Sequence, residues 1–274
     1  VSNIKVAVVV PVGKIDNNFK DCYQSILDQT HKPDKVIIVF DNVRNDVFDE
    51  LVFHSNTILA STLSRGQAIA RNVGIEIAHD CDFIATMDAD DLMHRNRIEL
   101  SIQCLMNYPG LDVYCFASDY IYSEGQYIDF SLNNYKVLEG EEFFKKFYKR
   151  NIIVNSTSFI RKSAINEVGL YENIKKMVDY NLWLRLILMD KRFIFIPDVV
   201  ISSRIHDNQV SHKRISSKII FRILILRIKV GQKLRLNPLN AFVSNLIWLF
   251  GKVLTETGLR KSRLKKVLKT ARNG

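Results

Sequence analysis

Two apolar runs, KVAVVV (5–10) and KVIIVF (35–40), constrain the fold of this chain more than any other feature. Both are short, rich in β-branched residues and without polar alternation, which is the pattern of strands covered on both faces. Between them, residues 17–29 place Phe19, Cys22, Tyr23, Ile26 and Leu27 at helical spacing. Strand, helix and strand in that order read as a βαβ unit, because parallel neighbours need a long crossover.

The alternation continues. The pattern predicts a helix over 46–54, a short strand over 57–60, and a helix over 66–79 with Ile69, Val73 and Ile77 on one face. DFIATM (82–87) reads as a strand, residues 94–107 as a helix with the stripe Ile98, Ile102, Leu105 and Met106, and DVYCFA (112–117) as a strand. SDYIYSEGQYIDFS (118–131) then predicts a hairpin turning at Glu124-Gly125. A helix near 140–150, a strand over 156–160, a helix near 179–190 and a strand FIFI (193–196) stopped by Pro197 complete the body. The expected class is α/β, Rossmann-like, with a mostly parallel central sheet flanked by helices. Ligands of such sheets bind outside the carboxyl ends of the strands.

At one of those ends stands ATMDADDLMHRNR (85–97), with Asp88, Asp90 and Asp91 inside four positions. Acidic residues at a helix start can cap it and favour its dipole, and one aspartate suffices for that. Three repel one another unless a cation sits among them, and carboxylates suit hard divalent ions such as Mg²⁺ or Mn²⁺. A metal held by one or two carboxylates completes its shell with water and phosphates, so a phosphorylated ligand is the expected guest.

Charge divides the chain into two parts. Of 39 Lys and Arg, 16 lie from Lys213 onward, where Glu256 is the only acid; the first 212 residues hold 23 bases and 28 acids. A body over 1–212, with halves at about 1–117 and 118–212, therefore carries a basic tail over 213–274. The tail holds KIIFRILILRIKV (218–230) and an uncharged stretch, 237–251, only 15 residues long. A span needs about 20 apolar residues, so these segments read as amphipathic helices on an anionic membrane surface, with Trp248 and Phe250 near the headgroups. A helical subdomain packed on the body is the competing reading. Sparse aromatics among the bases argue against nucleic acid. Cys22, Cys81, Cys104 and Cys115 form no CxxC pair, and the start does not read as a signal peptide, which points to a cytoplasmic protein, peripheral on the inner face of the cell membrane.

The ordered segments VAVVVPV, CYQSILDQT, VIIVFDN, GQAIARNVGIEIA, FIATMDADDLMHRNRIE, SFIRKSAINEVGLYE, VDYNLWLRL and SRIHDNQVS resemble a family 2 glycosyltransferase of the GT-A fold, of the type that assembles bacterial O-antigen, capsule or exopolysaccharide. That resemblance implies inverting transfer of a sugar, glucose or galactose favoured, from a UDP-sugar to a hydroxyl of a lipid-diphosphate-linked or oligosaccharide acceptor. It sets Pro11 and Val12 along the nucleoside, Asp41 at the base, and Arg71 and Asn72 near the nucleotide. Asp88 and Asp90 become the DxD pair for Mn²⁺ or Mg²⁺, with Ala89 between them, Asp91 facing the donor sugar and His206 a further metal ligand. Asp179 is the implied general base, and Trp183 and Arg185 line or buttress the acceptor site.

The chain departs from the family pattern at Phe40-Asp41, where two aspartates are common, at Val178-Asp179, where Glu-Asp is, and at Arg95, where proline is frequent. Two other classes stay open: a nucleotidyltransferase on a related sheet, disfavoured because PVGK (11–14) is no glycine-rich phosphate loop, and an inactive module binding through its tail.

Overall fold

The computed structural model of the chain describes residues 4–42, 53–122, 127–128, 136–205 and 215–256. Strand β1 (Val6–Val12) is buried along its length and leads into α1 (Asn17–Leu27), whose first turn is capped by Asp16 accepting from the Phe19 N–H at 3.2 Å. β2 (Lys35–Asp41) returns parallel to β1, as the two apolar runs require. There follow β3 (Thr57–Thr62), α2 (Gln67–Ile77), β4 (Phe83–Thr86), β5 (Leu92–Met93), α3 (Arg97–Asn107), β6 (Val113–Tyr122) and β7 (Tyr127–Ile128). β8 (Leu138–Glu139), α4 (Gly140–Lys149), a 3₁₀ turn (Asn155–Thr157), β9 (Ser158–Arg161), α5 (Lys162–Glu167), α6 (Val178–Leu188), β10 (Phe193–Ile205), α7 (Ser217–Lys233) and α8 (Pro238–Glu256) complete the described chain.

The strands form one mixed sheet in the order β3-β2-β1-β4-β9-β6-β10-β5, with β7 on β6 and β8 on β10. β3, β2, β1 and β4 are mutually parallel, as are β6 and β10, while β9 runs antiparallel between β4 and β6. Successive residues of a strand face opposite sides. Val6, Val8, Val10 and Val12 of β1 therefore pack with α1 and α3, and Ala7 and Val9 pack with α2 on the other side, where α4, α6 and α7 also contribute. This is the expected α/β architecture.

Several boundaries differ from the sequence reading for identifiable reasons. The strand over 193–196 does not stop at Pro197: β10 runs to Ile205, and the register against β6 shifts between Ile196 and Val199 and again between Val199 and Ile201. An irregularity is where a residue without an N–H is tolerated in a sheet. β6 is longer than 112–117 because β10 pairs with it as far as Tyr122. α3 starts at Arg97 rather than His94, since Leu92 and Met93 are first taken into the sheet beside β10. The hairpin pairs Tyr120 with Ile128, its turn lying outside the described residues, as does the helix expected over 46–54 as far as residue 52; Phe53 and His54 are not helical.

α2 reaches the sheet through small residues. Gly74 lies against Val9 of β1 and Val39 of β2, and a Cβ there would collide with the Val9 side chain and sit 3.3 Å from the Val39 Cγ2. We expect Gly74→Ala to destabilise the fold by about 1–3 kcal/mol, since both neighbours are fixed in the sheet. Chemical denaturation with unchanged far-ultraviolet dichroism checks this; an unchanged midpoint would mean that α2 can slide away from β1.

Candidate active site

The parallel arrangement brings the carboxyl ends of β1, β2, β3 and β4 to one edge. Pro11 and Val12 end β1 there; both are buried, and Val12 packs into the core with Phe19 and Phe40, so the strand offers a ligand its backbone. Asp41 ends β2, and its Oδ1 accepts from the Gly66 N–H at 2.9 Å, tying the strand end to the start of α2. Beyond β4 the Met87 N–H donates to the Val9 carbonyl at 3.1 Å, and the next residue is Asp88.

Arg71, buried on α2, donates from Nη2 to Asp88 Oδ1 at 2.6 Å and lies 5.4 Å from the centroid of the Tyr171 ring. Burial works against the Arg71 charge, and Asp88 with its other polar neighbours outweighs that and holds its pKa above the ordinary value. Asn72 does not reach the edge with its amide. That amide donates to the Tyr171 carbonyl and accepts from the Tyr171 N–H, both at 2.9 Å, clamping a loop 99 residues away. The Tyr171 hydroxyl in turn donates to Asn155 Oδ1 at 3.2 Å.

Asp179 stands in the first turn of α6, close enough for Arg71 and Asp88 both to act on its titration. Burial pushes its pKa up, Asp88 adds to that, and Arg71 opposes it. A carboxylate displaced in this direction is a better proton acceptor near neutral pH than an ordinary one.

The three aspartates of the loop do not share one role. Asp88 keeps 29% of its side chain exposed, and Ala89 packs its methyl against the core, so that Ala89 offers backbone. Asp90 is half-buried beside them. Asp91, expected at the donor sugar, turns inward instead. It is buried and accepts from Ser156 Oγ at 2.7 Å, Ser203 Oγ at 3.3 Å and the Arg204 N–H at 3.1 Å. Burial, with Asp88 and Asp90 nearby, pushes its pKa up to about 8.

Beneath the loop lies Arg97, fully buried, donating from Nη2 to the carbonyls of Thr86 at 2.8 Å and Ser158 at 3.2 Å. Burial lowers its pKa to about 9 against the pull of Asp91. α1 and the turn after it close the loop from outside: Cys22 Sγ meets the Asp88 carbonyl at 3.5 Å, Ser25 Oγ accepts from the Met93 N–H at 3.0 Å, and the Gln29 amide, just past the helix, donates to the His94 carbonyl at 2.7 Å.

Asp88 and Asp90 are hard oxygen donors at an open edge. Among the described residues no three His, Cys, Asp or Glu side chains converge as a metal cage. That donor set fits a cation that completes its shell with water and phosphate. His206 lies outside the described residues. His94 is engaged otherwise, through Nε2 and Ser202 Oγ at 2.8 Å.

Of the acceptor candidates, Trp183 is fully buried, edge-on to Phe193 at 6.4 Å, and belongs to the core, because α6 turns it toward α4 and the sheet. Arg185 buttresses: its Nε donates to Asn181 at 2.8 Å and its two terminal nitrogens to the carbonyls of Val168 and Leu170 at 2.5 Å, holding the segment that carries Tyr171. Tyr171 and Arg97 are the site residues that sequence reasoning missed. Arg97 had a signal, since it lies on the apolar side of α3 with Ile98, Ser101 and Leu105, where an unpartnered cation would be costly.

The chain matches the model of the Glycosyl transferase family 2 over residues 7–169. An uncharacterized glycosyltransferase of Haemophilus influenzae is 26% identical over 256 residues, covering 88% of this chain and 90% of that protein. The amylovoran biosynthesis glycosyltransferase AmsE of Erwinia amylovora is 22% identical over 227 residues, covering 79% and 81%. Among solved structures, S. aureus TarS 1-349 in complex with UDP-GlcNAc superposes with a TM-score of 0.67 at 14% identity, covering 83% of this chain and 67% of that one, so the two share the GT-A fold.

The inward placement of Asp91 has a consequence for stability. Its folded pKa of about 8 lies above the ordinary 3.8, so burial penalises the ionised form. The penalty is absent below the ordinary value, grows as pH rises, and is complete above the folded value. We expect Asp91→Asn to gain melting temperature relative to the natural chain between pH 5 and pH 8, by about 2–4 °C for each kcal/mol of penalty removed. A constant difference across that range would show that Asp91 is ionised throughout.

Proposed function

From the premise that the chain belongs to glycosyl transferase family 2, we propose that it transfers a hexose, glucose or galactose, from a UDP-sugar to a hydroxyl of a lipid-diphosphate-linked or oligosaccharide acceptor, with inversion, in the assembly of a bacterial surface polysaccharide. The observation that carries this reading is the convergence of Asp179, Arg71 and Asp88 at the carboxyl ends of the parallel strands. A UDP-sugar donor is supported by the likeness to a fold that holds UDP-GlcNAc in TarS, and polysaccharide assembly by the likeness to AmsE.

In the proposed reaction Asp179 accepts the proton of the acceptor hydroxyl as that oxygen bonds to the anomeric carbon. The bond from that carbon to the diphosphate oxygen breaks, and its electron pair leaves with UDP. Asp88 and Asp90, with His206 as a further ligand, would hold Mn²⁺ or Mg²⁺, which supplies charge neutralisation at the diphosphate. Arg71 keeps Asp88 oriented, and the backbone at Pro11 and Val12, with Asp41, borders the nucleoside. The protein works at the inner face of the cell membrane, meeting anionic lipid through 213–274; among the described residues no helix is long and apolar enough to cross a membrane.

Asp179→Asn is expected to lower kcat by at least about 100-fold while UDP affinity, measured by calorimetry, stays within about twofold. Wild-type turnover in that variant would remove Asp179 from the chemistry. Because burial raises its pKa, kcat/KM should fall with acid along a limb centred above the ordinary carboxylate value, the base being active only when ionised. Calorimetry also tests the metal: UDP should bind more tightly with Mn²⁺ present, and Asp90→Asn should abolish that gain. Metal-independent binding would leave the two carboxylates without this role.

A further inference from the structure

Helix α8 presents its faces in the reverse of the usual order. A helix packed on a water-soluble body turns its apolar stripe inward and its polar residues outward. In α8, Ser244 and Asn245 point inward, drawn to Arg227 of α7. That guanidinium is fully buried; it donates through Nε to Asn245 Oδ1 at 2.9 Å, through Nη2 to the Tyr148 carbonyl at 3.0 Å and Ser244 Oγ at 3.2 Å, and through Nη1 to the Tyr180 hydroxyl. The rings of Tyr148 and Trp248 flank it, at 4.6 and 5.3 Å. Trp248 is thus taken up by the protein rather than by headgroups.

With its polar side fixed inward, α8 exposes Leu239, Phe242, Val243, Leu246, Ile247 and Phe250, a stripe at helical spacing in which Phe242, Ile247 and Phe250 are 60%, 66% and 69% exposed. On α7, Phe221, Ile225 and Ile228 are exposed as well, and Ile228 meets the α8 residues in the groove between the helices. Between the two helices opens an apolar groove of about 640 Å³, lined among others by Leu224, Leu236, Phe242 and Leu249.

We propose that this face inserts into one leaflet of an anionic bilayer, with α8 lying in the membrane plane. The inference deepens the membrane contact of the proposed function and rests on that part of it. Charge selects the occupant: from Lys213 onward the chain has 16 cations and one acid, so a second copy would bring like charges together, whereas anionic headgroups around an apolar insertion complement both features. Length agrees, since α8 has 19 residues and is pinned to the body through Ser244 and Asn245. Insertion would also fix the height of the candidate base above the lipid, because Tyr180, which holds Arg227, follows Asp179 in the chain.

The test is flotation of the full chain with phosphatidylcholine vesicles, with and without phosphatidylglycerol, beside the triple variant Leu239→Ser, Ile247→Ser, Phe250→Ser. The natural chain should float with the anionic vesicles, and the variant should partition at least about 100-fold more weakly at an unchanged melting temperature. A variant that floats like the natural chain overturns insertion through α8 and leaves the basic tail as the membrane contact. A natural chain that does not float overturns both, and UDP calorimetry judges the transferase separately. Light scattering of a vesicle-free dimer that the variant dissolves would name a second copy as the occupant and overturn the proposal.

Discussion

Crowding three carboxyl groups at the end of one parallel strand calls for cations beside and beneath them and for burial that resists the charge of one, and much of the surrounding structure follows from meeting that requirement. Arg71 answers Asp88 from the side and Arg97 lies below, fully buried, with the pull of Asp91 opposing the cost of its burial. Removing a charge from water costs several kcal/mol unless partners replace the solvent. The partners of Arg97 are carbonyls at the end of β4 and the start of β9, so the cation that steadies the acidic loop also joins two strands of the sheet. Asp91, set between Ser156, Ser203 and the backbone of Arg204, is turned into the protein, and Asp88 and Asp90 remain partly exposed.

The same economy of contacts explains why distant segments meet at the site. Asn72 on α2 fixes the backbone of Tyr171, Tyr171 covers Arg71, and Arg185 on α6 grips the carbonyls on either side of Gly169. α6 therefore cannot shift without disturbing the segment that covers Arg71, and α6 is also the helix whose first turn carries Asp179. The side of the candidate site that carries Asp179 is built as one piece with the side that carries Arg71 and Asp88.

The sheet was legible in the sequence because its strands are buried on both faces and its helices are amphipathic, the two patterns that periodicity detects best. The strand ends were legible too: Asp41 closes β2 and Asp88 follows the end of β4, as the apolar runs before them predict. What escaped was set by tertiary pairing: β10 passes Pro197 because β6 extends beside it, and β5 takes two residues that helical spacing assigned to α3. Side-chain direction escaped for a related reason. Asp91 and Trp183 sit in motifs next to the candidate positions Asp90 and Asp179, yet a step of one residue in a loop, or four along a helix, decides whether a side chain turns into the core. Tyr171 carried no periodic signal, since its place depends on Asn72, 99 residues earlier.

A line of polar contacts runs from the site toward the basic segment. Glu172, next to Tyr171, accepts from Asn181 at 2.9 Å and pairs with Arg222 of α7 at 2.6 Å, while Arg227 of the same helix reaches Tyr180. Arg222 and Arg227 of α7 thus both reach toward α6 and its neighbourhood, and Arg227 is withdrawn from solvent altogether. A helix meant only to attract anionic lipid would keep a cation such as Arg227 outside. Buried, Arg227 makes α7 part of the scaffold beneath α6, the helix whose first turn carries Asp179. Among the described residues, α7 and α8 are therefore tied to the body through Arg227, although their charge sets them apart from it.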